Sequence, residues 1–215
     1  MAPPATRLII FDLGNVLVRL QPERLIEALQ ADSRRPQEEL TTLVHAAELV
    51  DPLERGRLSL EHFFAQLKER LGLAWRFEQF LRLWNEILSE NPLAPELLRQ
   101  LRGRYQLAAL TNIDLVHEAY VLDTWPAFRQ IHHWVASCRV GLRKPQPEIY
   151  RLVLERANVP ASAAVYLDDR ADFIEAAGRL GIRGVQVTHP SRVPDHLRDI
   201  GIVWDDDGTG ARAVS

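Results

Sequence analysis

The spacing of hydrophobic positions divides the chain into three regions with different predicted structures. The first is a short apolar run, Arg7–Phe11, which predicts one buried strand ending at Asp12. Between Leu20 and Ser89 apolar residues recur every three or four positions, which predicts helices throughout. From Pro95 to Val187, short runs rich in Val, Leu and Ala alternate with helical patterns, which predicts strands and helices in turn.

Two apolar stripes support the helical prediction for the second region. They consist of Leu60, Phe63, Phe64, Leu67 and Leu71, and of Phe77, Phe80, Leu81, Trp84 and Leu88. Ser59 is placed to cap the first of these helices, and Glu54–Ser59 predicts a break before it. Stripes of this kind more often pack helices together than line a ligand pocket, so we expect a helical core.

The third region predicts four further strands, each followed or preceded by a helix. The strands are expected in YQLAALTN, IHHWVAS, AAVYLDD and GVQV, and the helices at Asp114–Asp123, at Pro147–Ala157 and around Phe173, Ala177 and Leu180. Strands alternating with helices form right-handed βαβ units, which predicts an α/β fold with a parallel Rossmann-like sheet and helices on both faces. The second region interrupts this pattern, so we expect residues 20–91 to form an inserted all-helical cap and residues 1–19 and 92–215 the core.

Composition narrows the classes of protein that fit. With 215 residues, of which 47% are hydrophobic, the chain can bury a substantial core. A net charge of -3 gives no reason to expect nucleic acid or an anionic membrane as a partner. No apolar run approaches the roughly 20 residues of a membrane helix, and the start lacks an apolar leader, so a cytoplasmic location is expected. The sequence leaves the choice between a monomer and a homodimer open.

Polar side chains follow three of the predicted strands. Parallel α/β sheets bind ligands beyond the carboxyl ends of their strands, so these side chains are expected to meet in one crevice. A lysine from the loop before the Pro147 helix can join them. The set is Asp12, Thr111, Asn112, Lys144, Asp168 and Asp169.

A cluster of carboxylates needs a cation, because like charges repel and burying them costs several kcal/mol. Asp12 facing Asp168 and Asp169 is therefore expected to bind a hard divalent ion, Mg²⁺ above all. Lys144 and the metal would neutralise an anionic substrate, and Thr111 and Asn112 could donate hydrogen bonds to it. One carboxylate could then attack phosphorus and form an aspartyl-phosphate that water hydrolyses.

These residues lie in four ordered motifs that resemble those of the haloacid dehalogenase-like hydrolase superfamily with a helical cap of the first type. IIFDLGNVLV resembles its motif I, LAALTN motif II, VGLRKPQPEIY motif III and AVYLDDRADFIEAAGRLG motif IV. ERGRLSLEHF resembles part of the cap. The resemblance spans the core from Arg7 to about Val187 and implies a hydrolase, with a phosphoric monoester hydrolase as the main expectation.

The resemblance also implies a role for each residue. Asp12 would be the nucleophile, Lys144 would stabilise nucleophile and phosphoryl group, and Thr111 and Asn112 would bind phosphate. The Mg²⁺ ligands would be the carboxylates of Asp12 and Asp169 and the backbone carbonyl of Gly14, with Asp168 as a further ligand or a supporting acid.

The chain departs from the superfamily pattern at Gly14. Most phosphatases of the superfamily carry a second aspartate there, which protonates the leaving oxygen, a role typically worth about 10²–10⁴-fold. The DLGNV variant also occurs in a branch resembling bacterial α-glucose-1-phosphate phosphatases. The change therefore predicts slower turnover, or a substrate whose leaving group needs less help, such as an anomeric sugar phosphate.

Other chemically suggestive residues have structural interpretations. The segment WDDDGTG (Trp204–Gly210) resembles a nucleophile motif but lies too near the C-terminus for downstream motifs, so an exposed turn or tail is expected. His132 and His133 are adjacent on a predicted strand and would point to opposite faces. Cys138 is expected to be a packed thiol. Arg170 and Asp172 are each open between a role near the substrate and a role at a helix start.

Three functions remain open from the sequence. The first is a Mg²⁺-dependent phosphatase of a small phosphorylated metabolite, such as a sugar phosphate. The second is a 2-haloacid dehalogenase, in which the same aspartate attacks carbon; the acid pair Asp168-Asp169 argues against a metal-free site. The third is a non-catalytic or weakly active binding protein that has lost the acid at position 14.

Overall fold

The computed structural model describes residues 5–204. Its strands are β1 (Leu8–Phe11), β2 (Val18–Leu20), β3 (Leu88–Glu90), β4 (Gln106–Thr111), β5 (His133–Ala136), β6 (Ala164–Asp168) and β7 (Arg183–Gln186). Its helices are α1 (Glu23–Ser33), α2 (Gln37–Val44), α3 (Ala47–Glu54), α4 (Leu60–Leu71), α5 (Phe77–Glu86), α6 (Ala94–Arg102), α7 (Leu115–Thr124), α8 (Ser137–Val140), α9 (Pro147–Ala157), α10 (Ala171–Gly178) and α11 (Val193–Asp199).

Five of the strands form a parallel sheet in the order β5-β4-β1-β6-β7. The first strand of the chain lies in the centre, so the strands after it are added on both sides. This is the predicted parallel sheet, and the predicted strands of the third region are all present with ends shifted by a few residues. The carboxyl ends of β1, β4 and β6 consequently lie side by side.

The sheet is covered on both faces, as predicted. Alternate residues of the strands point to opposite sides: Ile9 and Phe11 of β1 belong to one core cluster, Leu8 and Ile10 to the other. Helices α6 and α11 pack on the first face, and α9 and α10 on the second. Burial on both faces explains why the central strand β1 is apolar at every position rather than at alternate positions.

Helices α1 to α5 have a core of their own, separate from the two clusters on the sheet. The two predicted stripes meet there, with the Phe64 and Phe80 rings stacked at 4.8 Å and Phe63 against Trp84 at 5.2 Å. Ser59 caps α4 as expected, because its side chain accepts a hydrogen bond from the His62 amide. These five helices lie over the carboxyl edge of the sheet and are called the cap below.

The prediction of helix throughout Leu20–Ser89 is wrong at both ends. Strands β2 and β3 pair antiparallel there, with Val18 opposite Glu90 and Leu20 opposite Leu88. Leu88, assigned to the second stripe, therefore lies in a strand. The chain enters and leaves the cap at this point, so its two crossing segments run side by side and satisfy each other's backbone groups.

None of the helices within residues 5–204 is long and apolar enough to cross a membrane. The segment WDDDGTG lies outside the described residues except for Trp204, so the interpretation of its acids stays a prediction.

The cap touches the core at a glycine. Gly56, just after α3, has φ +68°, and a Cβ placed on it would stand 2.3 Å from the carbonyl oxygen of Cys138 in α8. The close approach of two backbones requires glycine at this position. Gly72, which ends α4, has nearly the same backbone conformation, φ +66°, but a Cβ there would meet nothing within 4 Å.

Alanine substitutions at these two glycines distinguish the energetic cost of backbone strain from the cost of overpacking against the core. Gly72→Ala is expected to lower the free energy of unfolding by about 1–2 kcal/mol, the cost of a left-handed conformation. Gly56→Ala is expected to lose that amount plus about 1–3 kcal/mol from overpacking against Cys138. Urea denaturation of both variants measures the difference, and equal losses would contradict a tight contact between cap and core at Gly56.

Candidate active site

The predicted site residues come together at the carboxyl edge of the sheet. Asp12 directly follows β1, and Thr111 and Asp168 end the neighbouring strands β4 and β6. The pairing of Phe11 with Leu167 continues through a 2.9 Å hydrogen bond from the Asp12 amide to the Leu167 carbonyl. Strand register alone therefore sets the two carboxylates of Asp12 and Asp168 side by side.

Lys144 lies between these two carboxylates. Its Nζ is 2.8 Å from Asp12 Oδ1 and 2.7 Å from Asp168 Oδ2, and only 1% of its side chain is exposed. The Phe173 ring lies 5.0 Å from the same nitrogen. One ammonium group thus compensates two buried acids, and its removal would leave both carboxylates without a buried counter-charge.

Asn112 holds the backbone of Lys144. Its side-chain oxygen accepts a hydrogen bond of 2.8 Å from the Lys144 amide, and its Nδ2 donates one of 3.0 Å to the Lys144 carbonyl. The sequence suggested Asn112 as a phosphate-binding side chain. In the structure, that side chain positions the lysine loop, while Thr111 and Asn112 both border the cavity described below.

Asp168 is fully enclosed and both of its oxygens are engaged. Oδ2 accepts hydrogen bonds from Lys144 Nζ and from the Tyr166 hydroxyl, and Oδ1 accepts one of 2.9 Å from the Arg170 amide. Through these three hydrogen bonds, Asp168 positions the Lys144 ammonium group, the Tyr166 hydroxyl and the Arg170 amide.

Asp169 is half-buried and faces the cavity. Its Oδ2 accepts a 2.9 Å hydrogen bond from Asn15 Nδ2. Asn15 has φ +54°, a conformation that asparagine tolerates better than most residues, and its Oδ1 also accepts a hydrogen bond from the Leu20 amide. The turn after β1 is thereby tied to the end of β6.

The three acids could hold a metal ion. Asp12, Asp168 and Asp169 each offer a carboxylate oxygen, and these atoms lie within 4.8 Å of one another. An all-oxygen donor set suits Mg²⁺, which keeps several waters and takes one or two carboxylates from the protein.

The ionisation of the cluster reflects its burial. Burial raises the pKa of Asp12 to about 7, with nearby Asp168 adding to the shift and Lys144 opposing it. Burial by itself would lower the pKa of Lys144, but the charges of Asp12 and Asp168 outweigh it and the pKa is raised. Burial also raises the pKa of Asp169. Additional positive charge beside these acids would favour their ionised forms.

Gly14 is crowded by a leucine. A Cβ added at position 14 would lie 2.9 Å from Leu20 Cδ1 and 3.8 Å from Asp12 Oδ2. Gly14 does not have a positive φ, so only the leucine stands in the way of a side chain. Leu20 is 40% exposed and can move. The space beside Gly14 is therefore taken by a hydrocarbon group.

A cavity of about 350 Å³ lies between the acid cluster and the cap. Asp12, Thr111, Lys144 and Asp169 line it on the core side, and residues of the cap line the other side. The volume is at the lower end of the range for small-molecule sites, about 300–1,000 Å³.

Sequence reasoning missed several residues of the site. Tyr166 lies two residues before Asp168 on β6, and the period-two rule for strands could have placed both on one face. Asn15, Glu54 and Arg143 had no comparable signal, because each acts through a partner far along the chain. Arg143, beside Lys144, forms ion pairs with Asp51 at 2.9 Å and with Glu54 at 2.5 Å, both in α3.

Of the remaining candidates, the two histidines and the cysteine lie at structural positions away from the cavity lining. His132 Nδ1 accepts a hydrogen bond from the Leu107 amide, and His133 Nε2 contacts the Gln106 side chain. Burial raises the pKa of Cys138 to about 12, which suits the expected packed thiol. Arg170 borders the cavity, lies over the Phe173 ring and pairs with Asp172 at 2.7 Å in the first turn of α10.

Comparison with known proteins places the chain in a family. The sequence model of the haloacid dehalogenase-like hydrolases matches residues 6–181. The sesquiterpene phosphatase astK of Aspergillus oryzae is 26% identical over 196 residues, which are 89% of this chain and 94% of that protein. The phosphorylated carbohydrates phosphatase of Thermotoga maritima is 30% identical over 203 residues, 91% of each chain.

The fold also matches a solved structure. A haloacid dehalogenase family enzyme from Bacteroides thetaiotaomicron, in complex with magnesium and inorganic phosphate, superimposes with a TM-score of 0.76 and 24% identity, over 85% of this chain and 94% of that one. With the matched sequence model, the two phosphatase relatives and the site at the sheet edge, the chain belongs to the haloacid dehalogenase-like hydrolase family.

Proposed function

We propose that the protein is a Mg²⁺-dependent phosphatase that hydrolyses a small phosphorylated metabolite through an aspartyl-phosphate on Asp12. The observation that carries the proposal is the position of Lys144, whose Nζ lies 2.8 Å from Asp12 Oδ1 at the base of the cavity. An ammonium group there favours the ionised form of the nucleophilic carboxylate and attracts a phosphate dianion.

The relatives support the reaction class without deciding the substrate. Two similar proteins are named as phosphatases: astK acts on a sesquiterpene, and the Thermotoga maritima protein acts on phosphorylated carbohydrates. The Bacteroides enzyme with the same fold binds magnesium and inorganic phosphate. Alcohols as different as a hydrocarbon and a sugar therefore occur as leaving groups among similar proteins.

The residues perform the reaction in two steps. An oxygen of the Asp12 carboxylate attacks phosphorus, the bond from phosphorus to the alcohol oxygen breaks, and the alkoxide takes a proton. Water then attacks the phosphorus of the aspartyl-phosphate and returns Asp12 as a carboxylate with release of phosphate. Lys144 offsets the charge on the phosphoryl oxygens. Thr111 and Asn112 line the cavity, and the Thr111 hydroxyl and the Asn112 backbone amide would donate hydrogen bonds to those oxygens.

The metal would be held by Asp12, Asp169 and the backbone carbonyl of Gly14. When bound, Mg²⁺ supplies positive charge to the phosphoryl oxygens. Asp168 is better suited to orienting Lys144 than to binding the ion, because its two oxygens already accept three hydrogen bonds. Asn15 would hold Asp169 in place through its 2.9 Å hydrogen bond.

The chain has no acid at position 14 to protonate the leaving alkoxide. Solvent or a group on the substrate would supply the proton, which is compatible with slow turnover of ordinary alkyl phosphates. The narrower likeness to the DLGNV branch with α-glucose-1-phosphate phosphatases remains a prediction.

Asp12→Asn tests the nucleophile. The variant should fold, since Lys144 remains paired with Asp168, and should release no phosphate from p-nitrophenyl phosphate in the presence of Mg²⁺, because an amide does not attack phosphorus.

Asp169→Ala should raise the Mg²⁺ concentration needed for half-maximal rate. Asp195→Asn, an exposed acid in α11, serves as the control and should match wild type.

Three outcomes would overturn the proposal. Substantial phosphate release by folded Asp12→Asn would remove Asp12 as nucleophile. Chloride release from 2-chloropropionate without Mg²⁺, together with no phosphate release from phosphate esters, would show a dehalogenase instead. No turnover with either class of substrate would support a binding protein.

Gly14→Asp tests the missing acid. The variant should hydrolyse alkyl phosphates faster, by at most ~10²–10⁴-fold, because their alkoxide leaving groups need a proton. The gain should be small for p-nitrophenyl phosphate, whose phenolate leaves unaided. Leu20→Ala in the same chain should enlarge the gain, because it frees the space next to the new Cβ.

Gly14→Asn provides the matched control, since it fills the same space without an ionisable proton. It should show no selective gain for alkyl phosphates. If Gly14→Asp and Gly14→Asn change the two kinds of substrate equally, proton supply is not what position 14 limits.

A further inference from the structure

The cap side of the cavity is lined mostly by hydrocarbon, and its two polar members are His45 and Glu54. All cap helices except α4 contribute an apolar side chain to the lining, and the end of α5 contributes another. These residues are Leu25, Val44, Val50, Leu53, Trp84 and Ile87. The part of a substrate that extends from the phosphate toward the cap would therefore contact mostly methyl, methylene and indole groups.

The polar groups of the cavity lining near α7 already form hydrogen bonds within the protein. Asp114 Oδ1 accepts hydrogen bonds from the Val116 and His117 amides, and its Oδ2 lies 3.2 Å from Trp84 Nε1 and 2.9 Å from His117 Nδ1. His117 Nε2 contacts the Trp84 carbonyl at 2.7 Å. Both ring nitrogens and both carboxylate oxygens are thus occupied, which leaves a hydroxyl of a ligand little to bind.

Near α3, the charged groups are also paired with one another within the protein. Glu54 and Arg143 form an ion pair, and Arg143 reaches Asp51 as well. Arg143 Nε is buried without a hydrogen-bond partner among residues 5–204. Arg143 Nε and one ring nitrogen of His45, whose Nδ1 lies 2.8 Å from the Thr41 carbonyl, could each serve one oxygen atom of a ligand. A sugar or polyol brings a hydroxyl on nearly every carbon.

The hydrocarbon surface extends to the reacting centre. Leu20 also lines the cavity and lies against Gly14, next to the nucleophile. The hydrocarbon part of an apolar substrate would therefore contact apolar side chains along its whole length, beginning at the carbon next to the ester oxygen.

We propose that the substrate is a phosphate monoester of an apolar alcohol, with a hydrocarbon body of a size that fits the 350 Å³ cavity, rather than a sugar or polyol phosphate. The inference rests on the proposed phosphatase function and names its substrate class. Apolar groups gain by leaving water for such a cavity, while hydroxyls would lose their hydrogen bonds to water without replacement.

Two matched substrates test the proposal. n-Pentyl phosphate and ribitol 5-phosphate have the same number of carbons and both release a primary alkoxide, so they differ only in hydroxyls. With Mg²⁺, kcat/KM for n-pentyl phosphate should be at least roughly tenfold higher. From ethyl to n-hexyl phosphate, each added methylene should raise kcat/KM by up to roughly fourfold until the cavity is full.

A variant locates the effect in the cavity. Val50→Thr replaces a methyl group of the lining by a hydroxyl of similar size and should narrow the preference for n-pentyl phosphate by about threefold to tenfold. Val203→Thr makes the same exchange at an exposed position outside the cavity and should leave the preference unchanged. Equal or better turnover of ribitol 5-phosphate, or rates independent of chain length, would overturn the proposal.

Binding of n-alkylphosphonates, which phosphatases do not cleave, gives a second measurement independent of turnover. Calorimetric titration should show tighter binding as the chain lengthens. If no ester, including p-nitrophenyl phosphate, is hydrolysed, the phosphatase function fails, while the phosphonate series still decides whether the cavity prefers hydrocarbon. Affinity that does not change with chain length would refute the apolar site by itself.

Discussion

The site depends on one ammonium group between two buried carboxylates. Lys144 Nζ lies within 2.8 Å of both Asp12 and Asp168, at a place that water hardly reaches. Without this charge the two acids would repel each other and could not both stay ionised beside the sheet. The asparagine that binds the Lys144 backbone, the tyrosine that binds Asp168 and the amide of Arg170 all serve to keep this triad in place.

The sheet topology makes the triad possible. Because β1 lies between β4 and β6, the residues that follow three strands share one edge, and the register of β1 with β6 sets Asp12 beside Asp168. Apolar residues on both sides of each strand hold that edge rigidly between two helical layers. Catalytic precision at the edge is thus a consequence of packing in the middle of the sheet.

The cavity joins two environments of opposite character. The core side carries the charges that suit a phosphate, and the cap side is mostly hydrocarbon. The two sides are connected at two places: Arg143, beside Lys144, pairs with Asp51 and Glu54 of the cap, and Gly56 meets Cys138. A change in the position of the cap would therefore move the partners of Arg143, the residue beside Lys144. Binding of the alcohol against the cap is in this way coupled to the position of the charged groups.

The sequence by itself determined the features that depend on local patterns and on general rules of topology. Apolar runs and helical spacing gave the parallel sheet, α9, the Ser59 cap of α4 and the convergence of Asp12, Lys144 and the Asp168-Asp169 pair at one edge. Only the tertiary structure decided the pairing of β2 with β3, the use of the Asn112 side chain on Lys144, and the leucine beside Gly14. The first two depend on contacts between segments far apart in the chain, such as the hydrogen bond between Lys144 and Asn112, which are 32 residues apart. The contact of Leu20 with Gly14 depends on how the turn after β1 folds. Periodicity fixes which side of an element is buried, but which side chain meets which is settled only when all elements pack together.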